Sequence, residues 1–299
     1  MKKMLMLVVL LLLAIKPVAA MEKSGISIVP SFAEITINED KPNSIDLIIS
    51  NRTGFEEVFE LSVVDFGSLN ETGGVAFLTT KTDTSTRKYS LASWISLEKS
   101  EVIVGSGQSQ KVKVTILNKE SLSPGGHYGA VLATVQSNDV RQSDSVGINQ
   151  TMASLLYVLK TGGETYKLTV KEVTKKTDFW GMPNKIGVRL INEGNVHVVP
   201  RGAYEINFAG KQVAKGILNG ESGKILPESV RTFEFGIKKI NRWNWPGKYE
   251  TKLSLRYDDN NDFTVQKGNF FYWGYEGWTL GLMFLVFMFV ILLKIGKKI

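Results

Sequence analysis

Short runs in which hydrophobic and polar residues alternate recur along residues 25–272, separated by Gly, Pro, Asn and Ser. A period of two places successive side chains on opposite faces of a β-strand, whereas no long segment shows the 3.6-residue period of an amphipathic helix. The pattern therefore predicts an all-β region. The predicted strands are GISIV, EITIN, IDLIIS, EVFELSVV, VAFLT, WISL, EVIV, KVKVTIL, HYGAVLATV and ASLLYVLK, followed by YKLTVKEV, KIGVRLI, AYEINF, KIL, VRTFEFGI, KYETKLSLRY and DFTVQKGNFFY.

The region divides into two halves that share an order of features, which predicts two Ig-like β-sandwich domains in tandem, residues 21–162 and 163–273. The first half is longer mainly because of an insertion around residues 69–92. Duplication and two unrelated sandwiches with the same turn chemistry both explain the likeness. The matched pairs are Ile45–Gly54 with Ile186–Asn195, Val104–Ile116 with Leu226–Ile237, and Ser123–Val135 with Trp245–Tyr257.

Both ends of the chain carry targeting patterns. Residues 1–20 combine a basic start, an apolar run and the small-residue sequence VAA, which is typical of a secretory signal peptide. Residues 277–296 are apolar enough in sequence to predict a membrane-spanning helix. Lys294, Lys297 and Lys298 follow the positive-inside rule, with 297–299 as a cytoplasmic tail. We therefore expect a single-pass type I protein of the cell membrane, with an extracytoplasmic ectodomain whose first domain is membrane-distal.

The basic balance of the chain belongs mainly to these targeting segments. The formal net charge is +7, but removing the six lysines of the two terminal segments leaves +1 for residues 21–276. Nucleic-acid binding therefore loses its compositional support. Because the chain has no Cys, each domain depends on a hydrophobic core rather than on disulfides.

The segment LSPGGHYGAVLATV combines a proline, two glycines and one of only two histidines. A Pro-Gly sequence followed by Tyr at the start of a long alternating strand predicts a tyrosine corner, in which the hydroxyl bonds to nearby backbone. We favour this turn over a ligand-binding loop because no helix follows the glycines. The predicted corner residues are Pro124, Gly125 and Tyr128 in the first half and Pro246, Gly247 and Tyr249 in the second.

Residues 94–135, WISLEKSEVIVGSGQSQKVKVTI followed by LSPGGHYGAVLATV, resemble the Ig-like domain of bacterial surface proteins. The overall plan is similar to that of the WxL-interacting cell-surface proteins. That family has a peptidoglycan-binding Ig-like domain, a second β domain and a C-terminal membrane helix. The resemblance implies binding of peptidoglycan or of another cell-surface protein.

No catalytic constellation emerges from the sequence. His127 and His197 fall in different predicted domains, and with no Cys a zinc site is improbable. Since neither a nucleophile elbow, a Walker loop nor a His-Glu-x-x-His motif is present, we predict a protein that is not an enzyme and uses no cofactor or metal.

Two surfaces are candidates for contacts. The membrane-proximal pole carries aromatic residues that suit a lipid interface, although they could equally cap the core by packing on one another. The distal pole carries polar loops that suit a partner site, although they could equally be solvated loops without a partner. The aromatic set is Phe179, Trp180, Trp243, Trp245, Trp273 and Trp278; the polar set is Asn51, Arg52, Thr53, Asn138, Asp139 and Arg141.

These patterns predict a non-enzymatic, membrane-anchored surface protein that binds the cell wall or another surface protein. The alternative is a chaperone-like or envelope-assembly subunit that offers a sheet edge to an incoming strand. An exposed, uncharged edge strand favours the alternative, and a polar site on the distal pole favours the first interpretation.

Overall fold

The computed structural model describes residues 25–37, 43–78, 88–118, 122–136, 150–178, 181–240, 244–257 and 264–296. These residues form β-strands, one short 3-10 helix and one C-terminal α-helix, so the prediction of an all-β fold is confirmed at this level. The predicted signal peptide, residues 1–20, lies outside the described residues.

The first half contains two sheets. One has the strand order β1-β3-β8-β6, and the other has the order β2-β10-β9-β4-β5, with β7 also paired to β4. Apolar side chains from both sheets, such as Leu47 and Val112 on one and Phe59 and Leu156 on the other, form one buried cluster. The strands are β1 Ile26–Val29, β2 Phe32–Ile37, β3 Ser44–Asn51, β4 Glu57–Ser68, β5 Val75–Leu78, β6 Ile95–Leu97, β7 Glu101–Val104, β8 Ser109–Ile116, β9 Gly125–Val135 and β10 Thr151–Lys160, and the 3-10 helix is Ala92–Trp94.

The second half also contains two sheets, of order β11-β12-β15 and β16-β14-β13-β17-β18. Ile186 and Val188 of the smaller sheet and Ile206 and Leu253 of the larger one belong to a separate buried cluster. The strands are β11 Leu168–Thr177, β12 Pro183–Asn192, β13 Arg201–Phe208, β14 Lys211–Leu218, β15 Val230–Gly236, β16 Lys238–Lys239, β17 Gly247–Arg256 and β18 Thr264–Tyr272, and the helix α1 is Tyr275–Gly296.

Two strand predictions in the second half differ from the structure. Strand β14 was not predicted, because its sequence KQVAKGIL has few β-branched residues and contains a glycine. It forms through a hairpin with β13, in which Ala209 and Gly210 both have positive φ. Conversely, the predicted strand KIL is reduced to a single bridge between Ile225 and Val198.

The helix α1 begins and ends close to the predicted bounds, but the membrane prediction for it is wrong. Among the described residues, no helix combines the length and apolarity needed to cross a bilayer. The predicted type I topology and cell-membrane location lose their basis. The side chains of Lys294, Lys297 and Lys298 lie outside the described residues.

The feature order shared by the halves reappears as a matched pair of buried asparagines. Asn51 ends β3 and Asn192 ends β12, and both are 0% exposed. Each side-chain amide donates to the carbonyl four residues later and to one distant carbonyl, and each side-chain oxygen accepts the amide two residues later. Gly107 and Glu228, which donate their backbone amides to these two asparagines, both have positive φ. Asparagine therefore closes the corresponding turn in each half.

We expect Asn192→Ala to lower the free energy of unfolding by about 2–4 kcal/mol, because it leaves two buried carbonyls and one buried amide without their partner. Urea unfolding followed by intrinsic tryptophan fluorescence measures this. The control is Asn269→Ala on the exposed face of β18. A structural role for Asn192 is excluded if both variants unfold at the same urea concentration.

Candidate functional site

At the tyrosine corner predicted for the second half, the structure contains a hydrogen bond from the tyrosine hydroxyl to the preceding turn. Gly247 begins β17 with φ of 150°, and the hydroxyl of Tyr249 donates to the carbonyl of Trp245 at 2.6 Å. Tyr249 is fully buried and stacks on Phe208. Pro246 lies between the donor and acceptor of this bond in sequence.

In the first half a histidine occupies the equivalent position. Gly125 begins β9 with φ of 120° after Pro124, and the Nε2 atom of His127, two residues later, lies 2.8 Å from the carbonyl oxygen of Ser123. The hydrogen bond has the same four-residue reach as the bond of Tyr249. Tyr128, which was predicted to form the corner, is shifted by one residue and projects from the other face of β9.

This shift places Tyr128 at the contact between the halves. Its hydroxyl accepts the backbone amide of His197 at 2.7 Å. The same hydroxyl lies over Gly126, where an added Cβ would come within 2.2 Å of it, and the amide of Gly126 donates to the carbonyl of Asn195 at 2.8 Å. Gly125 therefore provides the backbone angle that begins β9, and Gly126 leaves room for the close approach of the second half.

Aromatic rings surround this hydrogen bond. Tyr128 packs edge-on against Tyr157, and His197 packs against both rings, with Phe66 on the opposite side. Burial raises the pKa of Tyr128 well above its ordinary value and lowers the pKa of His197 to about 4. His197 is thus neutral at pH 7, which is the form that a largely apolar environment favours.

Two residues of the insertion, Glu71 and Tyr89, form hydrogen bonds with the second half. Glu71 accepts hydrogen bonds from the guanidinium of Arg189, and its carbonyl accepts the amide of Thr232 at 2.7 Å. Tyr89 donates to Glu228 at 2.7 Å. The hydrogen bonds from Arg189 and from Tyr89 lower the pKa values of Glu71 and Glu228 respectively. The sequence showed the insertion as extra length but gave no sign of this role.

A cavity of about 370 Å³ opens between the halves beside this junction. Its first-half wall includes Phe32, Phe66 and Leu155, and its second-half wall includes Lys224 and Arg231. Its position at the contact of two units and its mixture of apolar walls with a few polar groups are typical of binding clefts.

The cationic wall of the cleft is only partly neutralised. Lys224 lies over the rings of Phe32 and Tyr157 at 4.7 and 4.9 Å and forms a 2.7 Å ion pair with Glu34. The hydrogen bond from Lys224 lowers the pKa of Glu34. Burial lowers the pKa of Arg231, whose Nε has no hydrogen-bond partner among the described residues. The cleft therefore presents aromatic surface together with two cationic side chains.

The cleft borders the line along which the chain passes from one sheet to the other. β1 pairs with β3 in the first sheet, and after Pro30 and Ser31 the chain continues as β2, parallel to β10 in the second sheet. Because β2 pairs only from Leu155 onward, the side of Thr151–Ala153 that faces away from β9 has no partner strand among the described residues. We call β1 together with Thr151–Ala153 the seam.

The seam is apolar and uncharged. Val29 within it is 53% exposed, and Phe32 beside it is 52% exposed. The amide of Leu155 donates to the carbonyl of Ser31, so the amides of Ala153 and Thr151 point to the same, unpaired side. The seam therefore presents strand-pairing groups next to exposed apolar side chains.

Of the residues predicted at the distal pole, Asn51 is buried, Thr53 is half-buried and Arg52 is exposed. Asn51 is buried in its turn, the amide of Arg52 donates to Gly25, and the amide of Thr53 donates to Asn51. Asn138, Asp139 and Arg141 lie outside the described residues.

The predicted lipid-facing aromatics are described only in part. Trp245 and Trp273 are 60% and 61% exposed, and Trp273 packs against Phe271. Phe179, Trp180 and Trp243, and the side chain of Trp278, lie outside the described residues. Within the described residues, no group of three or more His, Cys, Asp or Glu side chains could hold a metal ion.

No family model and no curated protein matches the chain. Solved structures of pilus chaperones do match. The class 5 fimbriae chaperone CfaA is 13% identical with a TM-score of 0.47, covering 81% of this chain and 98% of its own. A chaperone-tip adhesin complex of CFA/I fimbriae is 12% identical with a TM-score of 0.46, covering 84% and 100%. At these values the likeness assigns no function to the chain.

The prediction of a membrane-anchored protein that binds peptidoglycan or another surface protein is wrong. No helix among the described residues can supply its membrane anchor, and Asn51, which was predicted to lie in its binding pole, is buried. The prediction that the membrane is a partner of this chain is wrong because no helix among the described residues can cross it. The resemblance to WxL-interacting proteins stays a prediction.

We expect the junction between the halves to weaken as the pH falls. Because the pKa of His197 is about 4 in the folded chain and ordinarily about 6.5, its contribution is fully present above pH 6.5 and is lost as the pH falls toward 4. The loss between pH 7 and pH 5 is about 2 kcal/mol. Urea unfolding at both values measures it.

His197→Gln, which keeps the backbone amide that binds Tyr128, is the control. It should lose less stability between pH 7 and pH 5 than the unmodified chain. Glu34, Glu71 and Glu228 have lowered pKa values, so their protonation destabilises the folded chain mainly below pH 5. This effect is the same in both proteins. Equal losses in the two proteins would contradict the role of His197.

Proposed function

We propose that the protein is a non-enzymatic chaperone-like or envelope-assembly subunit, which captures an extended segment of a partner protein at the seam. Its two halves act as two Ig-like sandwiches in tandem, residues 21–162 and 163–273. The segment adds a strand beside Thr151–Ala153 and places side chains in the cleft, the mode of recognition known as β-augmentation.

The uncharged seam is the observation that carries this proposal. Exposed edge strands pair readily with other chains, and proteins usually block them with charged residues, proline or a covering element. Glu34 protects β2, Glu101 protects β7, and lysines protect β11, β16 and β18. The described edges without charge are β1, β5, β6 and the start of β10.

The contact between two uncharged edges distinguishes the seam, whereas its position beside the cleft is shared with β5, whose Val75 also lines the cavity. β1 and β10 contact each other, so that two uncharged edges lie side by side, one in each sheet. The seam also adjoins the cleft, because Phe32 and Leu155 line the cavity and flank the pairing position. β6 has only three residues, and β5 lies at the opposite end of its sheet.

The cleft adds selectivity for the side chains of the captured strand. In an extended segment, alternate residues point to one face. With its backbone beside β10, one set of side chains would point toward Leu155 and the aromatic wall formed by Phe66 and Tyr157. An alternating apolar sequence therefore fits better than one whose apolar residues are clustered.

The test is a peptide of alternating Val and Thr, compared with a peptide of the same composition whose valines are contiguous. We expect the full-length chain to bind the alternating peptide more tightly. Ala153→Pro should weaken this binding at least tenfold, because it removes an amide from the unpaired side and leaves the ladder to β9 intact. Isothermal titration calorimetry measures the affinities.

Ala153→Val keeps the amide and is the matched control. In the unmodified chain the peptide should also slow hydrogen exchange at Thr151 and Ala153, which locates the contact. The proposal fails if both peptides bind equally, or if Ala153→Pro binds as tightly as Ala153→Val while the amides of the seam stay unprotected.

A further inference from the structure

The outer face of the five-stranded sheet carries a row of charged residues that crosses every strand, with a lysine on four strands and Glu205 on the fifth. In the register of the sheet, Lys238 lies opposite Lys215, Lys215 opposite Glu205, Glu205 opposite Lys252, and Lys252 opposite Lys267. Neighbouring strands are about 4.8 Å apart, so the row is about 19 Å long. We call these four lysines the lysine row.

The side chains of the row project away from the core. Tyr204, Ile206 and Leu253, which alternate with Glu205 and Lys252 along their strands, are buried in the core of the second half. Lys238 and Lys267 are exposed at the two ends of the row, and the members between them are half-buried. All five charged groups are therefore available on one surface.

The charge of the row is compensated only in part, because Glu205 is the one carboxylate within it. Like charges directly opposite each other on adjacent strands are destabilising, and the row contains two such pairs. Arg201 and Arg256 form a third like-charged pair on the same face. Among the described residues, no lysine of the row forms an ion pair.

The other sheet of the second half shows the opposite arrangement. There Lys176 and Lys185 both pair with Glu234, and Arg189 pairs with Glu71. Among the described residues, the second half thus forms ion pairs at Lys176, Lys185 and Arg189 on one sheet, whereas the four lysines of the row form none. General enrichment in lysine does not explain this difference.

We propose that the lysine row binds a linear phosphate polymer that carries no bases, a function separate from strand capture at the seam. The two pairs of ammonium groups, one on each side of Glu205, act as point charges that contact phosphates without a fixed bidentate geometry. The residues flanking the row on β13 and β17 are Ala203, Asn207, Glu250 and Ser254, which offer no aromatic surface for stacking bases. Glu205, in the middle of the row, opposes the polymer.

The test is the affinity of the full-length chain for inorganic polyphosphate at low and moderate salt, measured by fluorescence anisotropy with an end-labelled polymer. We expect binding that weakens with salt. K252Q/K267Q should bind on the order of tenfold more weakly, with a salt dependence reduced by about one unit of slope per lysine. E205Q should bind several-fold more tightly, because it removes the opposing carboxylate.

The matched control is K176Q/K185Q, which removes the same charge from the same half but from the compensated sheet. It should bind polyphosphate nearly as the unmodified chain does. The proposal is overturned if this control weakens binding as much as K252Q/K267Q, or if E205Q does not tighten it. Tighter binding of a single-stranded oligonucleotide or of anionic lipid vesicles than of polyphosphate also overturns it, because either would make the row a different kind of site.

Discussion

The hydrogen bond from the backbone amide of His197 to the hydroxyl of Tyr128 sets how the two halves meet. The hydroxyl is buried, so it needs a partner, and the partner comes from the other half of the chain. Around it, Tyr157 and His197 supply ring contacts, and Gly126 leaves the space that the tyrosine occupies. The cleft lies beside this contact and takes its shape from it.

The insertion of residues 69–92 reinforces the same geometry from outside. Glu71 and Tyr89 reach strands and turns of the second half through hydrogen bonds to Arg189, Thr232 and Glu228. Exposed ion pairs alone contribute little to stability. These ion pairs act together with the backbone hydrogen bond from Thr232 and with the buried Tyr128. Together they hold one wall of the cleft against the other, so that Phe32 and Lys224 face the same cavity.

The surfaces differ in how their charges are arranged. Most edge strands carry charged side chains that discourage pairing, whereas the seam has none, and the pairing amides of Thr151 and Ala153 lie within it. Within the described residues of the second half, Lys176 and Lys185 on one sheet pair with Glu234, whereas the lysine row on the other forms no ion pair. Both contrasts arise within one fold and therefore point to local functional reasons.

The sequence alone determined the all-β character of the chain and the strands with clear alternation, because these depend on local periodicity. It missed β14, whose Gly216 and lysines give a weak pattern and whose pairing with β13 supplies the stability. It assigned Tyr128 to a corner because one extra glycine reverses the face of every following side chain, which only the observed register reveals.

The seam, the cleft and the lysine row were decided by tertiary structure. Each joins residues that lie far apart in the chain, such as Ser31 with Leu155 or Lys215 with Lys238, and no local pattern encodes strand order. Sequence periodicity specifies which side of a strand is buried. Which strand lies beside it, and which edge stays unpaired, follows only from packing the sheets together.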